Sequence, residues 1–452
     1  MVTNMVMFVK SRESLGLMVW GSTCPQPVLP ATSPHGRREP GVRLGAGEGS
    51  KVSSTFPAEG LDHLHRVLAG HIERGSMPGL AILVAAGGRV HAESIGTSSF
   101  DETRPLKTDA IFRIASLTKP VVAAAAMSLI DDGQMGLDDS IDHWLPELTN
   151  RQVLRTLESE LDDTEPARRA ITVDDLLSFR MGFGIVFGPG EPYPIQKAEA
   201  ELGLKTLGPP WPPTPWTSDE WIERFARLPL MRQPGDMWLY NTSATVLGIL
   251  VERVAGLPLE TVLRERILGP LGMEDTAFSV PPDKWDRLTT AYSPDPETGE
   301  LSVLDGVVDS YWSKPPSLPD AGGWLVSTIG DYWAFAQMMA EGGVRRGVRV
   351  LSGEAVTQMT TDRLTAQQRR ESALFLGDDG GWGLGLRVPA AGGPGRGTST
   401  GYGWDGGTGT TWRTDPTTGL TGILFTQRAM TSPAAPQVFT DFRAAADRLV
   451  DE

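Results

Sequence analysis

Ile111-Phe112-Arg113-Ile114-Ala115-Ser116-Leu117-Thr118-Lys119-Pro120-Val121-Val122-Ala123-Ala124-Ala125-Ala126-Met127 is the stretch on which the fold turns. Ile111–Ile114 reads as extended chain, and helical character begins near Ser116. A spacing of three puts Ser116 and Lys119 on one helical face. The helix start aims unpaired N–H groups and partial positive charge at the serine hydroxyl. A serine is a poor nucleophile at neutral pH unless a base stands beside it, and a buried lysine can be that base or can hold a neighbouring phenolate. Spacing alone also fits a plain N-cap serine with a solvated lysine. The apolar run Val121–Ile130 stops at Asp131-Asp132-Gly133, short of the roughly 18 or more residues that a membrane span needs.

Outward from this stretch, the two ends of the chain match in type. Leu61, Leu64, Leu68 and Ile72 mark one face of a helix. Leu80–Ala86 and Val90–Ile95 flank Gly87-Gly88 as a hairpin. Near the other end, Gly409–Thr414 and Leu420–Thr426 flank a turn at Asp415-Pro416 and Gly419. Val438–Val450 closes as a helix with Phe439, Phe442, Ala446 and Leu449 on one face. Residues 120–300 are mostly helical, with a Pro-rich insertion from Gly188 to Trp216. This pattern predicts an α+β fold: an antiparallel sheet built from both chain ends, flanked by helices, with a helical domain inserted between. The expected division is a disordered extension over 1–55, a sheet domain over 56–132 and 301–452, and an inserted helical domain over 133–300, with the active site at their interface.

Composition narrows the function. The 452 residues carry a formal charge of −15, against the basic footprint that nucleic acid requires. Cys24 is the single cysteine, so no disulfide framework or Cys-rich metal site exists. The six histidines all fall at or before His143, which leaves none downstream for a Ser…Asp…His order. His63 and His65 lie two apart and do not share a helical face, so no metal site is expected. Lys10 and Arg12 precede the short apolar run Leu15–Gly21, a weak match to a secretion signal that Glu13 spoils. A cytoplasmic protein is expected, although secretion fits a weaker reading of that run.

Two further segments carry chemistry. In Pro234-Gly235-Asp236-Met237-Trp238-Leu239-Tyr240-Asn241-Thr242, a turn leads to Tyr240 just ahead of a helix whose periodicity starts at Val246 and stops at Gly256. A nearby lysine can lower a tyrosine pKa and make it a general base; a core tyrosine is the plainer reading. In Gly401-Tyr402-Gly403-Trp404-Asp405-Gly406-Gly407-Thr408-Gly409-Thr410, glycines ahead of a strand allow close backbone approach. An N–H from here could pair with that of Ser116 as an oxyanion hole. The neighbouring Gly397-Thr398-Ser399-Thr400-Gly401 matches Gly-x-Ser-x-Gly, but no helix or histidine follows it, so the nucleophile-elbow reading fails.

In this order and spacing the three segments resemble the serine β-lactamase-related superfamily, which includes class C β-lactamases, D,D-peptidases and family VIII carboxylesterases. Its boxes are Ser-x-x-Lys, Tyr-x-Asn and Lys-Thr-Gly, or variants of these. Ile171–Phe183, Leu228–Tyr240, Leu268–Phe278 and Gly322–Thr328 also look typical, and the likeness covers about residues 57–450. It implies a β-lactamase/transpeptidase-like fold. It also implies an acylated nucleophile at Ser116, proton transfer through Lys119, a base at Tyr240 held ionised or hydrogen-bonded by Lys119, and an oxyanion hole from the N–H groups of Ser116 and Gly407. No cofactor is implied.

Two departures bear on substrate. Thr242 replaces the second-box Asn, and Trp404-Asp405-Gly406 stands where Lys-Thr-Gly would be. A lysine there offers a cation to a substrate carboxylate; Trp404 offers an apolar wall, and Asp405 a charge of the wrong sign. With Thr242, Trp404, Asp405 and Gly406 as the substrate-binding set, the expectation is a carboxylesterase on small neutral acyl esters. The alternatives are a β-lactamase, D,D-peptidase or amidase that takes its carboxylate on another cation such as Arg413, and a catalytically silent sensor. The expected partner is a small ester or amide, without nucleic acid or a membrane span.

Overall fold

The computed structural model describes residues 55–187, 191–204, 213–391 and 401–451. The expected extension over 1–55 lies outside them except for its last residue. So do the run Leu15–Gly21, Cys24, residues 397–400 of the Gly-x-Ser-x-Gly match, and residues 188–190 and 205–212 of the Pro-rich insertion. Residues 55–452 form one compact unit.

Helix α1 (Ala58–Glu73) is followed by the hairpin β1 (Gly79–Ala86) and β2 (Arg89–Gly96), which turns on Gly87 and Gly88 with φ of 57° and 79°. Both glycines occupy the left-handed region that a two-residue hairpin requires. After the Ser116 turn comes α2 (Thr118–Asp131), then α3 (Thr242–Ala255) and α4 (Ile329–Ala340). The chain ends in β3 (Gly380–Trp382), β4 (Arg387–Pro389), β5 (Tyr402–Gly406), β6 (Thr410–Asp415), β7 (Leu420–Thr426) and α5 (Gln437–Asp451).

The seven strands form one antiparallel sheet in the order β3-β4-β5-β6-β7-β1-β2. The two chain ends meet where β1 pairs β7, from Leu80 opposite Thr426 to Ala85 opposite Thr421. Every residue of β1 is buried, because both faces of the sheet are covered. Leu80, Ile82 and Val84 point into a core with α1 and α5, and Ala81, Leu83 and Ala85 into the larger core. On the latter side Tyr332 and Phe335 of α4 pack edge-on against Trp412, with ring centroids 5.7 Å apart in each case. The β-lactamase/transpeptidase-like arrangement expected from the sequence is the observed fold.

Residues 133–300 hold α3 and shorter helices, among them 218–225 and 259–263. They also hold the ribbon Gln152–Leu154 with Thr164–Pro166. We propose that the division into sheet and helical parts be kept, with one adjustment. Ala291–Pro294 pairs with Leu301–Asp305, so a boundary at 300 cuts a ribbon.

Candidate active site

The site starts from a strained turn. Ala115, Phe179 and Asn241 all carry positive φ, at 43°, 60° and 88°. Such backbone costs on the order of 1–3 kcal/mol per residue and persists only where surroundings fix it. Ala115 introduces a short 3₁₀ turn, Ala115–Leu117, which leads into α2. From Ala110 to Leu129, Ser116 alone is not fully buried, so the turn lifts one hydroxyl out of a closed core.

Lys119 is buried at 2% exposure. Its Nζ donates to Ser116 Oγ at 2.9 Å and also to the Gly322 carbonyl. Burial pushes the ammonium down to about 7, against a weaker upward pull from Asp320. Asp320 is held in place by Thr245 Oγ1 at 2.8 Å and the Gly322 N–H at 2.9 Å. At neutral pH Lys119 is therefore divided between ammonium and free amine, the range in which a base works best.

Tyr240 differs from expectation. Its hydroxyl shares hydrogen bonds with Ser116 and with Trp404, whose indole Nε1 donates at 2.8 Å. Lys119 Nζ lies over the ring face, 4.6 Å from the centroid, and its own hydrogen bonds go to Ser116 and Gly322. Burial raises the phenol well above its ordinary value, and the two hydrogen bonds only partly offset this. The expectation of a Tyr240 held ionised or hydrogen-bonded by Lys119 is corrected: Lys119 Nζ meets the ring face rather than the hydroxyl, and burial favours the neutral phenol. The cause is an aromatic cluster: the rings of Phe375, Trp238, Trp404 and Phe179 lie 4.8, 5.6, 5.6 and 5.8 Å from that of Tyr240. Trp238 is two residues away, but the other three rings come from distant segments that no local pattern announces.

The turn after β5 is pinned to the backbone ahead of Ser116. Thr410 Oγ1 donates to the Ile114 carbonyl at 3.0 Å, and Thr408 Oγ1 donates to that of Arg113. A Cβ on Gly406 would stand 2.3 Å from the Ile114 oxygen, so only glycine permits this approach. It brings Gly407 to the same small cavity as Ser116, about 40 Å³ in volume. Neither the Ser116 nor the Gly407 N–H enters a turn or loop backbone hydrogen bond among the described residues. Ile185, Tyr240, Asn241, Gly322 and Gly323 complete the lining. The cavity thus draws on both the sheet part and the helical part.

Of the expected residues, the structure brings together Ser116, Lys119, Tyr240, Trp404 and Gly407, with Gly406 as the close-approach point. It does not bring Asp405 or Arg413 there. Successive residues of a strand face opposite ways, so Trp404 faces Tyr240 while Asp405 faces Arg413 and Arg443, at 3.0 and 2.9 Å. Thr242, 2% exposed, begins α3 and does not line the cavity; Asn241, one residue earlier, does. The helix begins four residues before its apolar periodicity because Asn241 ends the preceding loop in the left-handed region. Asn241, Thr408 and Thr410 were the residues missed. Tyr-Asn was visible in the sequence, but its left-handed backbone was not.

The Beta-lactamase family matches residues 64–445. The chain belongs to this family. Protein Rv1367c of Mycobacterium tuberculosis is 41% identical over 343 residues, spanning 73% of this chain and 80% of the relative. Esterase EstB of Burkholderia gladioli is 27% identical over 376 residues, 80% of this chain and 89% of the relative. Among solved structures, EstCE1, described as a hydrolase with promiscuous acyltransferase activity, superposes with a TM-score of 0.69 at 22% identity. The match covers 86% of this chain and 98% of that one. No helix among the described residues of this beta-lactamase-family chain is long and apolar enough to cross a membrane.

Proposed function

We propose that this chain is a serine hydrolase of small neutral acyl esters working through a Ser116 acyl-enzyme. The observation that carries the reading is the 2.9 Å contact of Lys119 Nζ with Ser116 Oγ, made by an amine that burial brings to about 7. The free amine accepts the serine proton as Oγ attacks the ester carbonyl, and the N–H groups of Ser116 and Gly407 receive the oxyanion. The ammonium returns that proton to the departing alkoxide, while the neutral Tyr240 hydroxyl stays hydrogen-bonded to the Ser116 oxygen. Tyr240 holds no net charge in this scheme and orients that oxygen. Water then attacks the acyl-enzyme, again giving its proton to Lys119, and the acid leaves.

Ester rather than β-lactam or D-Ala peptide is supported by what surrounds the cavity. Trp404 contributes an indole where a cation would meet a carboxylate, and Arg413 faces the other side of the sheet. The esterase name of one relative agrees with this reading. The test uses p-nitrophenyl acetate and butyrate, nitrocefin and a D-Ala-D-Ala peptide on one preparation of wild type and Ser116→Ala. Ester turnover at least ~10⁴-fold above the variant is expected. Equal rates in the two proteins would refute the mechanism, nitrocefin turnover above ester turnover would favour the lactamase reading, and a stable adduct without turnover the sensor.

A further inference from the structure

The cavity at Ser116 is about 40 Å³, far below the roughly 300–1,000 Å³ of a pocket that encloses a whole drug-sized ligand. It takes the reacting ester group, and the rest of a substrate must lie beyond its lip. Part of that lip is Ile185. The segment that carries Ile185 is fixed to Tyr240. The Ile185 N–H donates to the Tyr240 carbonyl at 2.9 Å, and a Cβ on Gly184 would stand 2.6 Å from the same oxygen. One residue on, Gln196 Nε2 donates to the Val186 carbonyl at 3.0 Å. Ile185 and Val186 are half-buried, and Phe187 is 42% exposed.

A row of rings leads outward from the same point. Tyr240 shares a hydrogen bond with Ser116 and is 9% exposed. The half-buried ring of Phe375 stands 4.8 Å from it. The ring of Phe187 stacks on that of Phe375 at 5.9 Å, with 26° between the planes. Exposure thus rises step by step from the partner of the reacting hydroxyl to solvent. Phe375 is held firmly: its N–H donates to the Ser372 carbonyl at 2.9 Å, Trp238 packs edge-on at 5.6 Å, and Arg387 Nε donates to the next carbonyl, that of Leu376, at 2.9 Å. A lone exposed phenylalanine needs no explanation. Here two distant segments stack their rings next to the partner of the serine, and Ile185, Val186, Phe187 and Phe375 bring no charge to the surface they make.

We infer that Ile185, Phe375 and Phe187 form the acyl subsite, and that the preferred acyl group is a medium-chain alkyl group laid along the two phenylalanine rings. This rests on the ester-hydrolase reading of Ser116 and narrows it. The acyl group stays bonded to Ser116 Oγ through both steps, whereas the alcohol departs after the first. A wall anchored to Tyr240 serves the group that stays. A chain lying on Phe187 removes apolar surface of both from water, and a charged acyl tail gains nothing there. Phe187 sets specificity: it meets the chain and not the reacting atoms.

The test compares kcat/KM for p-nitrophenyl octanoate and p-nitrophenyl acetate in wild type, Phe187→Ala and Phe187→Leu. Wild type should prefer octanoate by at least ~10-fold, the worth of a few methylenes against an apolar wall. Phe187→Ala should lose about 5-fold or more on octanoate and stay within about 2-fold on acetate, because Phe187 is exposed and outside the lining of the Ser116 cavity. Phe187→Leu restores apolar surface and should recover part of the loss. An equal octanoate-to-acetate ratio in wild type and Phe187→Ala, with acetate turnover intact, overturns the proposal and leaves the hydrolase reading standing. A second pair, ethyl octanoate and octyl acetate followed by pH-stat, locates the chain. Phe187→Ala should slow only the first; slowing of octyl acetate alone puts the chain on the alcohol and overturns the acyl assignment. A wild type that turns over none of these esters removes the hydrolase reading, and this proposal with it.

Discussion

Strand β5 separates two buried cations that solve the same problem in opposite ways. On the Trp404 face, Lys119 has two neutral hydrogen-bond partners, Ser116 and Gly322, and Asp320 acts on it only through space. On the Asp405 face, Arg413 holds its carboxylate partner at 3.0 Å. Burial disfavours the charged form of both. The lysine answers by releasing its proton near neutral pH. The guanidinium cannot, so the fold supplies a counter-ion. One arrangement yields a base beside a hydroxyl and the other yields a brace behind the strand. A buried cation thus becomes chemistry or structure according to whether a carboxylate reaches it.

The sharpest way to break this contrast is Lys119→Met. Ester kcat/KM should fall by ~10³–10⁴, the range for loss of a positioned base. Stability should move the other way. The folded Lys119 pKa of about 7 lies below its unfolded value, so between these two values the unfolded chain binds more protons, and at pH 7 the ammonium is a cost of folding. Removing it should raise unfolding free energy by about 2 kcal/mol, read by urea melts at pH 7. In wild type, kcat/KM should rise with pH through about 7 as the free amine forms. Asp320→Asn removes the charge that holds the Lys119 pKa up, so that limb should shift to lower pH. A limb that stays in place would detach the pH profile from Lys119.

The other half of the contrast breaks at Asp405→Asn. Arg413 and Arg443 then lose their shared carboxylate, and unfolding free energy should drop by about 3 kcal/mol, as when one partner of a buried pair is removed. Turnover per folded molecule should change less than about 3-fold, because the Asp405 side chain faces away from Tyr240. A large loss of kcat with little loss of stability would restore Asp405 to the substrate-binding set.

The sheet was legible because its signals are local: the Gly87-Gly88 turn, the apolar runs that flank it, and two amphipathic helices at opposite ends of the chain. Ser116 with Lys119 was legible because their pairing lies within a single helical turn. Asp405 was misplaced although the rule that places it was available. Neighbours on a strand face apart, and Trp404 and Asp405 had both been assigned to one pocket. The state of Tyr240 was not legible, since Phe375, Trp404 and Phe179 reach it from distant segments and only together do they dry the hydroxyl. The pinning of Gly407 was hidden for the same reason: Thr408 and Thr410 act on Arg113 and Ile114, almost three hundred residues earlier.

The smallest predicted effects separate a positioning residue from a bystander. Trp404 Nε1 donates to the Tyr240 hydroxyl at 2.8 Å, and indole can only donate. The one proton of Tyr240 is thereby turned away from Trp404 and toward Ser116, where it can orient Oγ. Trp404→Phe keeps an aromatic wall and removes this donor, so kcat should drop by about 10-fold with KM for p-nitrophenyl butyrate nearly unchanged. If Trp404 only walled the acyl group, KM would rise and kcat would hold. Thr242→Val is the matched control, since Thr242 is buried in the first turn of α3 and absent from the cavity lining. It should alter both constants by less than about 2-fold. A larger loss at Thr242 than at Trp404 would mean that the second-box position, not the strand behind it, orients the substrate.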